Sequence, residues 1–186
     1  MPRRRRLNRD LVIEQAVALA NAGGDVRTVS LTALAQALEI RPPSLYNHVA
    51  SLEDLQQGMA LFGLRQLIAD LRQASLGLVG REAVAAIAAA YRHFAQRHPG
   101  LYPLTIRAPE RDESELAVLA QELLQMLLLV MASMGLQGDD AIHAIRGLRA
   151  ILHGFTSLEA ADGYKMSLDR EESFHRLVHA YLDGLT

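Results

Sequence analysis

The chain is 186 residues long, half of them hydrophobic, 22% charged and 5% aromatic, which supplies enough apolar material for a buried core and excludes a disordered chain. It holds no cysteine, so disulfides, thiolate metal sites and a cysteine nucleophile are excluded together. The formal net charge of −2 hides an asymmetry, +3 over residues 1–50 and −5 over the rest, and a basic head on an acidic body suits contact between that head and a polyanion.

In chain order the punctuation is helical. Asn8 is placed to cap a first helix, whose Leu11, Val12, Gln15, Ala16, Leu19 and Ala20 keep a helical rhythm until Gly23-Gly24 stops it. Ser30 caps a short second helix carrying Leu31, Leu34, Ala35 and Leu38. Pro42-Pro43 open a third, over about 43–49, because proline is tolerated where the first-turn amides are unpaired anyway. Ser51 and Asp54 have capping-box spacing and start a long fourth helix reaching about Ser75. Gly77 and Gly80 break the chain before a fifth helix over about 81–98, ended by His98-Pro99-Gly100, and a short sixth lies within about 101–107. The seventh, about 114–134, is apolar all round and is expected to be buried on most sides. The eighth begins at Gly138-Asp139-Asp140 and ends near Ala161, and Asp169 caps a ninth running to about Leu185. No segment alternates with period two, so the expected fold is all-α, about nine helices, with a three-helix head over 1–50 and a helical body over 51–186.

The apolar run Met126 to Ala132 falls short of the ~20 residues that cross a bilayer. The N-terminal arginines lead into an amphipathic segment and not into a cleavable apolar stretch, so no secretory signal is read there. A cytoplasmic location without a membrane partner is the expectation, and the lack of cysteine fits it. Eighteen of the nineteen basic residues are arginine, Lys165 being the exception. That suits forked phosphate contacts, and a coding bias toward arginine accounts for it equally well.

Residues 30–49 read SLTALAQALEIRPPSLYNHV. A helix, a tight turn and a second short helix form the geometry in which the second helix enters the DNA major groove. Leu34, Ala35, Leu38, Ile40, Leu45 and Val49 supply the small core between the two helices, and the small Ala35 allows a close crossing. Thr32, Arg41, Pro42, Ser44, Tyr46, Asn47 and His48 remain outward as the candidate DNA-contacting set. Arginine matches a guanine edge and asparagine an adenine edge, while serine, tyrosine and histidine hold phosphates. Taken alone, the pattern also suits a short surface helix with a solvated polar face. The arm Arg3 to Arg6 either lies along a minor groove or stays solvated.

The stretch Leu-Glu-Ile-Arg-Pro-Pro-Ser-Leu-Tyr-Asn-His-Val, residues 38–49, followed by Ser51 and Leu55, resembles the tetracycline-repressor family of one-component regulators. Two positions depart from the family pattern. Glu39 stands where the family often has a glycine that takes positive φ easily. Leu52 stands where it often has a phosphate-holding lysine. Farther on, Leu148-Arg149-Ala150-Ile151-Leu152-His153-Gly154-Phe155, Leu158-Glu159-Ala160 and Asp162-Gly163-Tyr164 are similar to the WHG-type C-terminal domain of part of that family, with Leu152 in the place of the tryptophan. The resemblance implies a homodimeric regulator, a repressor released from near-palindromic double-stranded DNA by an unidentified small-molecule effector. Residues 1–50 would form the DNA-binding domain and 51–186 the ligand-binding and dimerisation domain.

It also implies a pocket among helices four to eight, for which Phe62, Arg65, Tyr91, Phe94, His98, Tyr102, Met126, Val130, His143 and Arg146 are the candidates. Tyr91, Phe94 and His98 share one face of helix five, and each apolar member taken singly also suits plain core. Helix nine carries one apolar stripe, and helix eight has an apolar side and a small-residue side. Pairing both with their copies gives a four-helix interface at His153, Gly154, Phe174, Leu177, Val178 and Tyr181, where His153-Gly154 permits a close crossing. His143 and His153 lie ~15 Å apart along a helix, too far to share one ion, so neither a metal nor another cofactor is expected. His153, Ser157 and Glu159 lack any surrounding nucleophile elbow, phosphate loop or paired carboxylates, so no enzymatic activity is expected. The remaining alternative is an all-helical ligand-binding or dimeric adaptor protein that binds no DNA.

Overall fold

The computed structural model describes residues 7–109 and 114–185, so the Arg3–Arg6 arm lies outside the described residues. Among them are nine α-helices, one single turn of 3-10 helix and no strand: α1 Arg9–Gly23, the 3-10 turn Val26–Thr28, α2 Leu31–Ala37, α3 Pro42–Leu45, α4 Leu52–Ser75, α5 Gly80–Arg97, α6 Tyr102–Thr105, α7 Ser114–Ala132, α8 Gly138–Ala160 and α9 Arg170–Asp183.

The polar start signals operate as hydrogen-bonded caps. Asn8 accepts from the Leu11 amide at 2.9 Å, Ser30 from Ala33 at 3.1 Å and Asp169 from Glu171 at 2.8 Å, each satisfying an amide that the helix leaves without a partner. Ser51 Oγ accepts from the Asp54 amide at 3.1 Å, while the Asp54 carboxylate reaches back to the Ala50 amide at 2.7 Å. This is a capping box displaced by one residue at its return contact.

Compactness divides the chain into two units, one combining residues through Arg65 with Arg97–Leu116, the other combining Gln66–Gln96 with the chain from Ala117 onward. The first unit is centred on the fully buried Val12, Leu34, Leu45, Leu55, Met59 and Leu101. Glycines let its helices approach. A β-carbon on Gly58 would stand 2.7 Å from Ile13 Cδ1, and one on Gly63 would stand 2.8 Å from Leu101 Cγ. At Gly100 it would meet the Ala20 carbonyl oxygen at 2.1 Å, so the turn after α5 rests on the end of α1. Beside it, Asn21 Nδ2 lies 3.2 Å from His98 Nδ1.

The second unit packs Val84, Ile87, Tyr91 and Phe94 of α5, Leu148, Leu152 and Phe155 of α8, and Phe174, Val178 and Leu182 of α9, all buried. Arg92 sits among them almost fully buried. Its guanidinium makes a forked contact with Glu159 at 2.7 and 2.9 Å, a second with Glu171, and lies 4.9 Å from the Phe174 ring centroid. Paired twice and stacked on an aromatic ring, the charge is compensated where water is excluded.

Helix α7 corrects an expectation. Its stretch Glu115–Ala132 is long and apolar enough to cross a membrane by length and composition, with mean hydropathy 1.7, yet only 11% of it is buried. Leu116 and Met131 are its buried residues, and Val118 and Leu129 are 68% and 73% exposed. Apolar character on every side does not produce burial on every side; beyond those two buried residues a face from Leu119 to Val130 is half-buried and the rest is exposed. The apolar signal was also more than the seven-residue run counted from the sequence, because just two carboxylates interrupt the longer window.

Candidate nucleic-acid interface

The turn between α2 and α3 has the hydrogen-bond pattern of a Schellman cap. The Ile40 amide donates to the Ala35 carbonyl at 3.0 Å and the Glu39 amide to Gln36 at 3.0 Å. That pattern puts the intervening residue in the left-handed region, and Glu39 indeed has φ +56°. A glutamate there bears a steric cost that glycine avoids. The cap turns the chain sharply so that α3 leaves α2 with its apolar side inward: Leu45 is fully buried and Val49 is 1% exposed.

Regular helix α3 is shorter than the expected 43–49, ending at Leu45 and continuing as turns in which His48 and Val49 both donate to the Leu45 carbonyl, at 2.8 and 3.0 Å. The two prolines occupy its first turn, where the missing amides would have no intrahelical acceptor in any case, so they start the helix and do not cause its early end. The expected outward residues are outward. Tyr46 is 60% exposed, Thr32, Arg41, Pro42 and Asn47 are exposed, and Ser44 and His48 are half-buried at the edges of the same face. One short segment therefore carries a cation, an amide, a phenol, an imidazole and a hydroxyl on a face anchored from behind.

Behind this face stands a pair that the sequence reading missed. Arg9 in the first turn of α1 donates from Nη1 to the His48 carbonyl at 2.9 Å and to Asp54 Oδ2 at 2.8 Å, and from Nη2 to Asp54 Oδ1 at 2.5 Å. The guanidinium holds the Asp54 carboxyl below its ordinary range, and the Arg9 value is raised in turn, chiefly by the same hydrogen bonds. A signal was available: a cation in the first turn of a helix opposes the helix dipole, so its presence there points to a carboxylate partner from elsewhere.

The candidate effector residues divide between the two units. In the first, Tyr102 is buried, Phe62 and His98 are half-buried, and Arg65 is exposed and pairs with Glu115 at 3.4 Å. In the second, Phe94 is fully buried and Tyr91 buried, Met126 and Val130 are half-buried on α7, and His143 and Arg146 lie exposed on α8. A groove of about 510 Å³ in the second unit is lined by other residues, Ala74, Ala86, Ala89, Ala90, Arg92, His93, Gln96 and Glu171.

Of the candidate interface residues, Phe174 and Val178 are only 3% exposed within the single chain, with the Phe174 ring 5.1 Å from that of Phe155. Tyr181 donates its hydroxyl to the Ala144 carbonyl at 2.6 Å. The close α8–α9 crossing falls at Gly147, where a β-carbon would meet Tyr181 Oη at 2.5 Å, and not at Gly154, which has open space around it. Leu177 and His153 are half-buried and Gly154 is exposed. The apolar stripe of α9 thus serves the chain's own core first.

A family profile described as "Tetracyclin repressor-like, C-terminal domain" matches residues 84–181. The chain is 31% identical over 180 residues to the uncharacterized HTH-type transcriptional regulator YobS of Bacillus subtilis, covering 96% of this chain and 93% of that one. It is 34% identical over 182 residues to the uncharacterized HTH-type transcriptional regulator Rv0681 of Mycobacterium tuberculosis, covering 97% and 82%. Among solved structures, BioQ with its double-stranded DNA operator superimposes with a TM-score of 0.70 at 20% identity, covering 97% of this chain and 98% of that one.

Proposed function

The chain belongs to the tetracycline-repressor family of helix-turn-helix transcriptional regulators, and on that premise we propose that it is a cytoplasmic homodimeric repressor that a small-molecule effector releases from a near-palindromic operator. The observation that carries this reading is the exposed polar face of α3, held from behind by Leu45 and Val49 and aimed by the Glu39 turn. BioQ, of the same fold, is solved with its operator duplex, and a short helix that follows a tight turn after another helix is the element that enters the major groove in this motif. Arg41, Ser44 and Asn47 then approach base edges, while Thr32, Tyr46 and His48 hold the sugar-phosphate backbone, with Pro42 packed close to it. Residues 1–50 act as the reading head, and 51–186 bind effector and partner.

The half-buried apolar surface of α7, including Leu123, Met126, Leu127 and Val130, favours an apolar effector that covers it. Effector and operator are linked reciprocally, so each weakens the other by the same factor.

Asn47→Ala and Tyr46→Phe separate the two kinds of contact. Asn47→Ala should change preference at particular base pairs, by ~1–3 kcal/mol for a bidentate contact, while Tyr46→Phe should weaken all duplexes alike. Binding curves on a panel of single-base variants of the selected site decide this. A uniform loss for Asn47→Ala would move that residue to the backbone.

Dimerisation through α8 and α9 sets two copies of α3 about one DNA turn apart, ~34–36 Å. Because Tyr181 supports the subunit's own α8–α9 seam, the cleaner probe is the exposed Gly154, where a side chain meets nothing in the single chain. Gly154→Glu should leave helicity unchanged and shift the monomer–dimer equilibrium toward monomer by about tenfold or more, as two like charges meet across the symmetry axis. Sedimentation velocity reads the shift. A Gly154→Glu dimer as tight as the parent would remove α8 from the interface.

A further inference from the structure

We propose that Arg9 and Asp54 form a clasp on the exit of α3, making both of them positioning residues for DNA reading although neither contacts DNA. The inference rests on the DNA-reading role of α3. The clasp grips the backbone on both sides of Val49. Arg9 holds the His48 carbonyl at 2.9 Å, the Asp54 carboxylate holds the Ala50 amide at 2.7 Å, and the two side chains are joined by a forked pair at 2.5 and 2.8 Å. Val49 between them points inward at 1% exposure. Forked, charge-assisted contacts fix geometry in a way that a single bond does not.

Such a grip matters because α3 has little rigidity of its own. Its regular part is four residues long, too short to hold the turn residues after it by its own helical hydrogen bonds. The side chains assigned to DNA at its far end, Tyr46, Asn47 and His48, follow the regular part of the helix and precede the gripped peptide. Their orientation is therefore set by Leu45 on one side and by the clasp on the other. Asp54 also belongs to the first turn of α4, fixed there by Ser51 at 3.1 Å. The clasp thus joins three elements, the start of α1, the end of α3 and the start of α4, so a displacement of the α4 start is felt at the DNA-reading face.

The test exploits an opposition of sign. Asp54 is a negative charge close to the proposed DNA face, so by charge alone Asp54→Asn should tighten binding. The clasp demands the reverse. The probes are the duplex recovered by selection from random DNA with the unmodified protein, and a random-sequence duplex. Asp54→Asn and Arg9→Gln should each weaken the selected duplex about tenfold, a loss of about 1.4 kcal/mol. The double variant should be no weaker than the worse single one, because both remove the same interaction. The salt dependence should be unchanged, and Asp54→Glu should recover part of the loss. Arg9→Lys, which keeps the charge and loses the fork, should fall between. Circular dichroism melts report whether each variant folds; Asp54→Asn retains a carbonyl oxygen for the Ala50 amide and so tests the clasp with the cap in place. Equal or tighter binding by folded Asp54→Asn overturns the clasp. Tighter binding by Asp54→Asn together with a shallower salt dependence in Arg9→Gln would make Arg9 a phosphate contact instead. If the unmodified protein recovers no duplex, the DNA-binding reading fails and the clasp with it.

Discussion

Gly100→Ala should destabilise the protein by about 3 kcal/mol or more, at the upper end of what an added methyl costs in a packed site. The added β-carbon would lie 2.1 Å from the Ala20 carbonyl oxygen and 2.2 Å from its carbon. Both are backbone atoms, so no rotamer change relieves the clash and the turn must lift from α1. Lifting it withdraws Leu101, fully buried beside Gly63, and parts His98 from Asn21. Denaturant unfolding measures the effect as a lower midpoint with little change in slope. A loss below about 1 kcal/mol would mean that the turn does not rest on α1 as described.

Arg92→Met should cost about 3 kcal/mol, because it takes both charge-assisted contacts from the nearly buried Glu159 carboxylate and leaves it only the Gln96 amide. The Arg92 side chain is 7% exposed and that of Glu159 12%, whereas Glu171 at 73% is well solvated and contributes little. Replacing both Arg92 and Glu159 by methionine should recover much of the loss, since a packed apolar pair needs no compensation. The pair also sets a pH dependence. Hydrogen bonding from Arg92 lowers the Glu159 carboxyl below its ordinary 4.5, with further support from Gln96. A carboxylate depressed in the folded state contributes stability above its unfolded value, and that contribution is lost as pH falls through the folded value. The parent should therefore lose stability on acidification below about pH 4.5, and Glu159→Gln should show a shallower acid limb in a series of thermal melts. Identical limbs would remove this pair from the account.

Local signals were legible because they act over a few residues. Asn8, Ser30 and Asp169 cap helices as their spacing predicts, and the departure at Glu39 does take positive φ. The polar face of α3 was legible too, since Leu45 and Val49 fix which side must turn inward. What escaped was the choice of partner. His98-Pro99-Gly100 read as a helix stop, and nothing in its pattern shows that Gly100 is small in order to seat Ala20, eighty residues earlier. Arg9 and Asp54, 45 positions apart, fit separate local rules and meet only in three dimensions. The stripe on α9 was equally compatible with a core and with a second copy, and Phe174 and Val178 lie in the core. On α7 the apolar residues give a period but no measure of what covers them, so a helix expected to be enclosed is half-buried on one face and exposed elsewhere.

The central claim, that the face of α3 reads DNA, is tested most directly by selecting duplexes from a random pool and titrating the enriched one across salt concentration. The account predicts enrichment of a near-palindromic site with half-sites about one helical turn apart. Affinity should fall linearly on logarithmic axes, with a slope near −0.9 for each phosphate neutralised. Failure to enrich any sequence, together with weak binding that is indifferent to salt, would contradict it.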